Sequence, residues 1–285
     1  MEKHKGLGKI CLVHHECARD SPLKRNGTLD AVIEGMVEGI YNNAASLSNL
    51  EKWQSVISQN LAASNVAGFK KLDFAIETDD KKKTQYTQGD FGGTRHTGLL
   101  TTRTSSINFA NGDHKQTGKN TDFAIDGNGF FQIRGADGNP LFTRDGEFHF
   151  NQNNTLVTKN GLEVVGDDGP ITVDPEQGAF TVARDGTITQ GDNAIGRLAL
   201  YEIEDTKALT RVEGGYFEAP ADIVPEALEE ASLYQGSIES SNVAPMAEMV
   251  SLIAVSRAYE ASQRALRSHD DLISKAISSL GSPTA

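Results

Sequence analysis

From Leu252 onward the chain repeats a strict three-then-four spacing through Leu252, Val255, Tyr259, Ser262, Leu266, His269, Ile273, Ala276 and Leu280. Seven of these nine residues are apolar or aromatic, which predicts a heptad seam on a helix spanning about 244–280. Asn242 is placed to cap its start, and Pro245 is tolerated in its first turn. At ~1.5 Å per residue, a helix of ~35 residues is ~50 Å long. Its stripe needs a partner, and the chain offers one match. Between about 38 and 64, Ile40, Ala44, Leu47, Leu50, Ile57 and Leu61 recur at helical spacing, Trp53 widens the stripe, and Asn43, Ser46, Lys52 and Gln59 face elsewhere. This helix is expected to stop near Asn65, before a capping Gly68. Joining the first and last segments of the chain costs loop-closure entropy that grows only logarithmically with the span. The expectation is two long terminal helices that pair as a coiled-coil-like arm. Such an arm has little core of its own and asks for neighbours, as an assembly subunit does.

The middle, about 84–215, reads differently. Asp-Gly pairs recur at 126–127, 137–138, 145–146, 168–169 and 185–186, and Asn-Gly pairs at 111–112 and 160–161. These predict tight type I′ hairpins, in which both central residues have positive φ. Short strand-like runs lie between them: Phe123–Ile125, Phe130–Ile133, Leu141–Thr143, Phe148–Phe150, Leu156–Thr158, Leu162–Val165, Ile171–Val173, Phe180–Val182 and Leu198–Ile203. The fold class is a mainly β, hairpin-rich central domain flanked by N- and C-terminal α-helices. The expected division is a leader at 1–35, the first helix and turn at 36–70, a linker plus β-rich domain at 71–220, and a connector plus the last helix at 221–285. The connector Ala221–Ala231 is acidic and Ala-rich, and residues 235–242 form a polar stretch.

The leader has no sustained period. Ile10–Val13 is too short for the apolar region of a secretory signal, and His14, His15 and Glu16 interrupt it. Cys11, His14, His15 and Cys17 could ligate a soft metal, but zinc sites pair two such groups and no second pair follows. The segment reads as a disordered leader, or as the product of a start codon upstream of Met36. Both cysteines fall within it, so no disulfide framework holds the body. With 27 Lys and Arg against 39 Asp and Glu, the net charge of −12 argues against nucleic acid as a partner. No apolar run approaches the ~20 residues of a membrane span.

No catalytic set emerges. His96, His114, His149 and His269 fall on different elements, and neither H-E-x-x-H nor G-x-S-x-G is present. The run Asp126-Gly127-Asn128-Gly129 leads into strand-like Phe130–Ile133, not the helix of a dinucleotide loop, and it lacks the closing Glu of a calcium loop. Asp167-Asp168 and Arg144-Asp145-Gly146 read as turn residues, and Lys81–Lys83 after Asp79-Asp80 as a solvated linker. No catalytic, cofactor-binding or metal residue is assigned.

Four blocks resemble the bacterial flagellar basal-body rod proteins, a family related to hook protein. The first is residues 57–71, ISQNLAASNVAGFKK, with Asn60, Asn65, Gly68 and Phe69. The second is residues 122–131, with Gly127 and Gly129. The third is Phe142-Thr143-Arg144-Asp145-Gly146-Glu147-Phe148, followed by Leu156-Val157-Thr158 and Gly161. The fourth runs from Gln235-Gly236 to Glu239, then Ser241-Asn242-Val243, Glu248-Met249-Val250, Leu252-Ile253 and Arg257-Ala258-Tyr259-Glu260. The first block departs from the family's usual Ala-Asn-x-Asn-Thr turn. The chain lacks the insertion that follows this block in the distal-rod type, which favours the proximal type, rod protein F, and it is short for a hook protein.

The resemblance implies a structural subunit, not an enzyme, with no cofactor. It implies export through the flagellar type III apparatus without a cleaved signal, and self-association with other rod and hook-basal-body proteins in a helical tube. It implies a place in the periplasmic rod of the basal body, where the tube transmits torque for motility. The helix residues expected at the assembly interface are Ile40, Leu47, Leu50, Ile57, Leu61, Leu252, Val255, Tyr259, Leu266, Ile273 and Leu280. The alternatives are a distal-rod or hook-type subunit and, remotely, a secreted β-domain enzyme or carbohydrate-binding protein with helical arms.

Overall fold

The computed structural model describes residues 27–78, 100–102, 106–174, 177–191, 193–228 and 232–281. Cys11, His14, His15, Cys17, Lys81–Lys83 and His96 lie outside this set. Helix α1, Gly27–Ala62, and helix α2, Pro245–Gly281, bracket a β-rich body. Helix α1 begins eleven residues before the expected Glu38, inside the segment assigned to the leader. No proline interrupts 27–62, and once packing has nucleated a helix, each further residue costs little to add.

The helices run antiparallel against each other. The Tyr259 hydroxyl donates to Glu51 Oε1 at 3.0 Å. Gly39 lies beside the His269 ring, so that a Cβ there would sit 3.5 Å from Cε1. On α2, Val255 is buried, and Leu252, Tyr259, Ser262, Leu266, His269, Ile273 and Ala276 are half-buried, as the spacing predicts. Leu280 lies in the helix beyond the described side chains. On α1, Ile57 is buried, and Ile40, Leu47, Leu50 and Leu61 are half-buried. Ala44 is a correction: it is exposed, while Asn43 and Ser46 are half-buried, because the inward line steps Gly39-Asn43-Ser46-Leu50. Trp53 is 37% exposed and stacks on Phe74 at 6.0 Å.

Among the described residues every strand pairing is antiparallel. Its largest sheet has six strands in the order Thr210–Arg211, Phe217–Glu218, Pro140–Thr143, Gly129–Arg134, Leu200–Glu202 and Glu226–Ala227. The last strand comes from the segment expected to be a connector. A three-stranded sheet comprises Phe180–Val182, Thr187–Gln190 and Asn193–Arg197. Side chains alternate across the central strand Gly129–Arg134. Phe131 and Ile133 enter the main core with Phe123, Ile125, Phe148, Leu156, Val164, Leu198 and Leu200. Phe130 enters a second cluster with Phe142, Ile203, Leu209 and Phe217. Each such buried side chain contributes about 1.5–3 kcal/mol.

The turns are tight but not type I′. Glycines 127, 138, 161, 169 and 186 have positive φ, whereas among the described non-glycine residues only Asn154 does. The Asp before the glycine instead turns its carboxylate back on the chain, as where Asp185 Oδ1 accepts from Thr187 N at 3.0 Å. Glycines 112 and 146 are not turn residues of this kind.

Ends and body meet at a buried ionic clasp

After α1 the chain loops through residues 63–71 and inserts beneath the β-body. Lys70 is 1% exposed and its Nζ donates to Glu239 Oε1 at 2.6 Å and to the Ala110 carbonyl at 2.9 Å. Glu239, also 1% exposed, closes the strand Ser237–Glu239 just before α2. Its Oε2 accepts from Arg144 Nη1 at 3.2 Å, and its Oε1 also accepts from Gly112 N at 2.8 Å. Arg144 spans the interior, donating to the carbonyls of Ile125 and Gly127 and lying 5.2 Å over the Phe130 ring. One carboxylate thus serves two buried cations, from residues 70, 144 and 239. Burial lowers the pKa of Lys70 against the attraction of Glu239, and it lowers that of Arg144 likewise.

A second layer joins the helices. Asn60, 1% exposed, exchanges two 2.9 Å hydrogen bonds with the backbone of Leu72, and its Nδ2 also reaches Glu248 Oε2 at 3.4 Å. Glu248, in the first turn of α2, pairs with Lys71 at 2.8 Å, and this bond raises the Lys71 pKa. Arg211 lies 4.3 Å over the Phe69 ring and donates to the Lys70 carbonyl at 2.7 Å.

Asn242 is not the cap of α2, which begins at Pro245. Its Oδ1 accepts from Lys71 N at 2.7 Å and its Nδ2 donates to the carbonyls of Asn108 and Ala110, each at 2.9 Å. A primary amide fits this place because it offers donor and acceptor together. Gly68 is likewise not the helix cap: α1 ends at Ala62, and Gly68 N donates to the Glu239 carbonyl at 2.8 Å. Its φ is +64°, and a Cβ there would lie 2.2 Å from the Arg144 carbonyl carbon. Gly146 and Gly112 serve the same closeness, since a Cβ would fall 1.8 Å from the Phe123 oxygen and 1.9 Å from the Ser240 oxygen. These approaches explain why two of the Gly pairs are not turns.

Gly68→Ala is therefore expected to cost more than Gly127→Ala. Both carry the left-handed penalty of about 1–2 kcal/mol, but Gly127 (φ +102°) has open space around its Cβ position while Gly68 must push the backbone of Arg144 aside. Thermal unfolding of the two variants checks this. Equal melting temperatures would mean that the close approach carries no weight.

Of the family-motif residues, Asn60, Gly68, Phe69, Gly127, Arg144, Gly146, Asn242 and Glu248 converge here, with Ser241 on the same segment, its Oγ accepting from Val243 N at 3.3 Å. Asp145 adjoins them. Burial raises its pKa, and its Oδ1 accepts from Glu147 N at 3.0 Å. Gly129 packs against Ile125 and Leu228. Asn65, Arg257 and Glu260 are exposed and take no part. The sequence reading did not single out Lys70, Lys71, Arg211 or Glu239. For Lys70, Lys71 and Glu239 the signal was a charge inside a motif block, whereas Arg211 lies in none of the four.

Elsewhere, a shallow polar cleft is lined by Asn153, Asn154, Thr172, Asp174, Gln190 and Asn193, and a smaller one includes Asp168 and Arg197. The Gln190 amide is engaged with the backbone, donating to the Gly178 carbonyl at 2.8 Å and accepting from Asp174 N at 3.2 Å. His149 is exposed, and His114 lies 5.8 Å from the Tyr234 ring. Among the described residues, no three His, Cys, Asp or Glu side chains cluster as metal ligands, and no helix is long and apolar enough to cross a membrane.

Two family models match the chain: the flagellar hook protein FlgE/F/G D1 domain over residues 124–190, and the flagellar basal body rod FlgEFG protein C-terminal region over 234–279. The chain is 30% identical over 247 residues to the flagellar basal-body rod protein FlgF of Caulobacter vibrioides, covering 86% of this chain and 99% of that protein. It is 31% identical over 250 residues to FlgF of Rhizobium meliloti, covering 86% and 99%. It is 30% identical over 263 residues to the flagellar basal-body rod protein FlgG of Buchnera aphidicola, covering 84% and 98%. The matched models divide at the clasp: Arg144 lies in the first and Glu239 in the second.

Proposed function

Since the chain belongs to the flagellar basal-body rod protein family and is a structural subunit of that rod, we propose that it is the proximal, F-type member, built to carry torque between an inner helical arm and an outer β-body. The observation that carries this reading is the buried clasp. Lys70, Arg144 and Glu239, all buried, join the root of the arm to the body through two ion pairs. A drive shaft needs that stiffness. The Lys70 ammonium, the Arg144 Nη1 and both Glu239 oxygens are engaged with one another and with the backbone, a structural use of charge that supports a role without catalysis or cofactor.

The two helices form a coiled-coil-like arm facing the inside of a helical tube, and the body faces outward. Heterologous contacts between identical copies extend such a tube. The chain reaches the periplasm through the type III export apparatus without a cleaved signal. A body free of cysteine after Cys17 suits that route, because nothing must be oxidised on arrival. Its partners are other rod and hook-basal-body proteins, not nucleic acid. Residues 1–26 are dispensable to this role.

The test is to delete the gene, confirm loss of motility, and restore it with the chain beginning at Gly27 behind a new Met. Gold-labelled antibody against the β-body, viewed on isolated hook–basal bodies, should mark a short proximal segment of the rod. Label along the distal rod would assign the chain to the G type instead. Undiminished motility in the deletion strain would end the rod reading.

A further inference from the structure

The polar cleft on the β-body plays no part in holding arm to body. It offers about 500 Å³ between two walls. One wall is the turn that carries Asn153 and Asn154, continued by Thr172 and Asp174. The other is the start of Asn193–Arg197, the edge strand of the three-stranded sheet.

The base of this cleft is held firmly. Gln190 is 2% exposed, and its amide donates to the Asp174 and Gly178 carbonyls and accepts from Asp174 N. It thereby ties Asp174 and Gly178 to the strand Thr187–Gln190. Asn151 holds the opposite turn from within, its Oδ1 accepting from Asn153 N and Thr155 N, each at 2.9 Å. Asn154, in that turn, is kept at φ +58°, a region that most L-residues avoid.

The rim, in contrast, is free to bind. The side chains of Asn153, Asn154, Thr172 and Asn193 make no hydrogen bond among the described residues. Thr172 adds its main chain. Leu156 N donates to the Ile171 carbonyl at 2.8 Å and Val173 N donates to the Asn154 carbonyl at 2.9 Å. The intervening Thr172 N–H and C=O therefore turn away from residues 154–156, and neither has a partner among the described residues.

The chemistry of the rim selects the ligand. Three primary amides and a hydroxyl can each donate and accept. The described lining holds no Lys, Arg or His, so an anion would meet no countercharge. It holds no aromatic ring on which a planar base could stack. Among the described residues no three acidic, His or Cys side chains gather around a metal ion, and Asp174 Oδ2 already accepts from Gln177 Nε2 at 3.0 Å. Val173, Ala194 and Ile195 lay an apolar strip beside the amides. A pyranose ring presents the matching pair of surfaces, hydroxyls around its edge and C–H groups on its face. We propose that this cleft binds a neutral saccharide, with the Asn153, Asn154 and Asn193 amides and Thr172 taking its hydroxyls. The site goes beyond the rod reading and does not depend on it, since neither the clasp nor the helices line it.

Saturation-transfer NMR on the purified full chain tests this with two probes, cellotetraose and N-acetylated chitotetraose. Ring protons of at least one should receive transfer at millimolar concentration, and the pair distinguishes a plain glucan from an N-acetylated one. Thr172→Ala combined with Asn193→Ala removes two exposed hydrogen-bonding side chains. It should raise the Kd about tenfold, because each lost bond is modest. Ala194→Trp, which fills the cleft, should abolish transfer. Asp137→Ala, in a turn that lines neither cleft, should leave it unchanged. No transfer to either sugar, undiminished transfer in the double variant or in Ala194→Trp, or tighter binding of dextran sulfate than of both neutral probes overturns the proposal.

Discussion

Replacing Glu239 by Ala is expected to destabilise the chain by about 3–5 kcal/mol, the range for breaking a buried ion pair. The variant leaves Lys70 and Arg144 as two sequestered cations with no carboxylate, and it also frees Gly112 N. Lys70→Met should cost much less. It removes one of two cations, keeps the Glu239–Arg144 bond at 3.2 Å, and deletes a charge that burial already disfavours. The order Glu239→Ala, then Glu239→Gln, then Lys70→Met is checked by urea unfolding. Fluorescence of Trp53, the chain's one tryptophan, follows the arm, and near-ultraviolet circular dichroism of the packed core aromatics follows the body. If Glu239→Ala unfolds at the wild-type midpoint, the clasp contributes nothing to holding arm and body together.

Deleting 245–285 should abolish rod assembly and motility while leaving the β-body folded. The deletion removes α2 with Glu248, but it spares Glu239, Asn242 and every strand of the two sheets. The core around Phe123, Phe131 and Leu200 makes no use of α2. Circular dichroism should lose most of its helical signal, since α1 then has no partner for its inner stripe. A cooperative thermal transition from the body should persist. Motility surviving this deletion would contradict the structural role of the arm.

The helical pair was legible because a heptad spacing is local and redundant: one misplaced residue, Ala44, did not hide the stripe. Strands such as Phe130–Ile133 and Leu156–Thr158 were legible for the same reason, bounded by turn residues. The clasp was not. Lys70, Arg144 and Glu239 are each separated by scores of residues, and charged side chains ordinarily signal solvent. Only the fold shows that they share one dry site. The roles of Gly68, Gly112, Gly146 and Asn242 were misread for a related reason. A glycine beside a helix end resembles a cap, and an Asn before a proline resembles one too, until the backbone that presses on the first, or bonds to the second, is known.

The spacing of the clasp along the chain has one further consequence. Its positive members come early, at 70 and 144, and its negative member late, at 239. A polypeptide interrupted before Glu239 holds two cations that no remaining group at this site can neutralise, so it cannot close the arm onto the body. Charge balance at one point in the interior thus reports whether synthesis has reached residue 239, where the last strand before α2 closes.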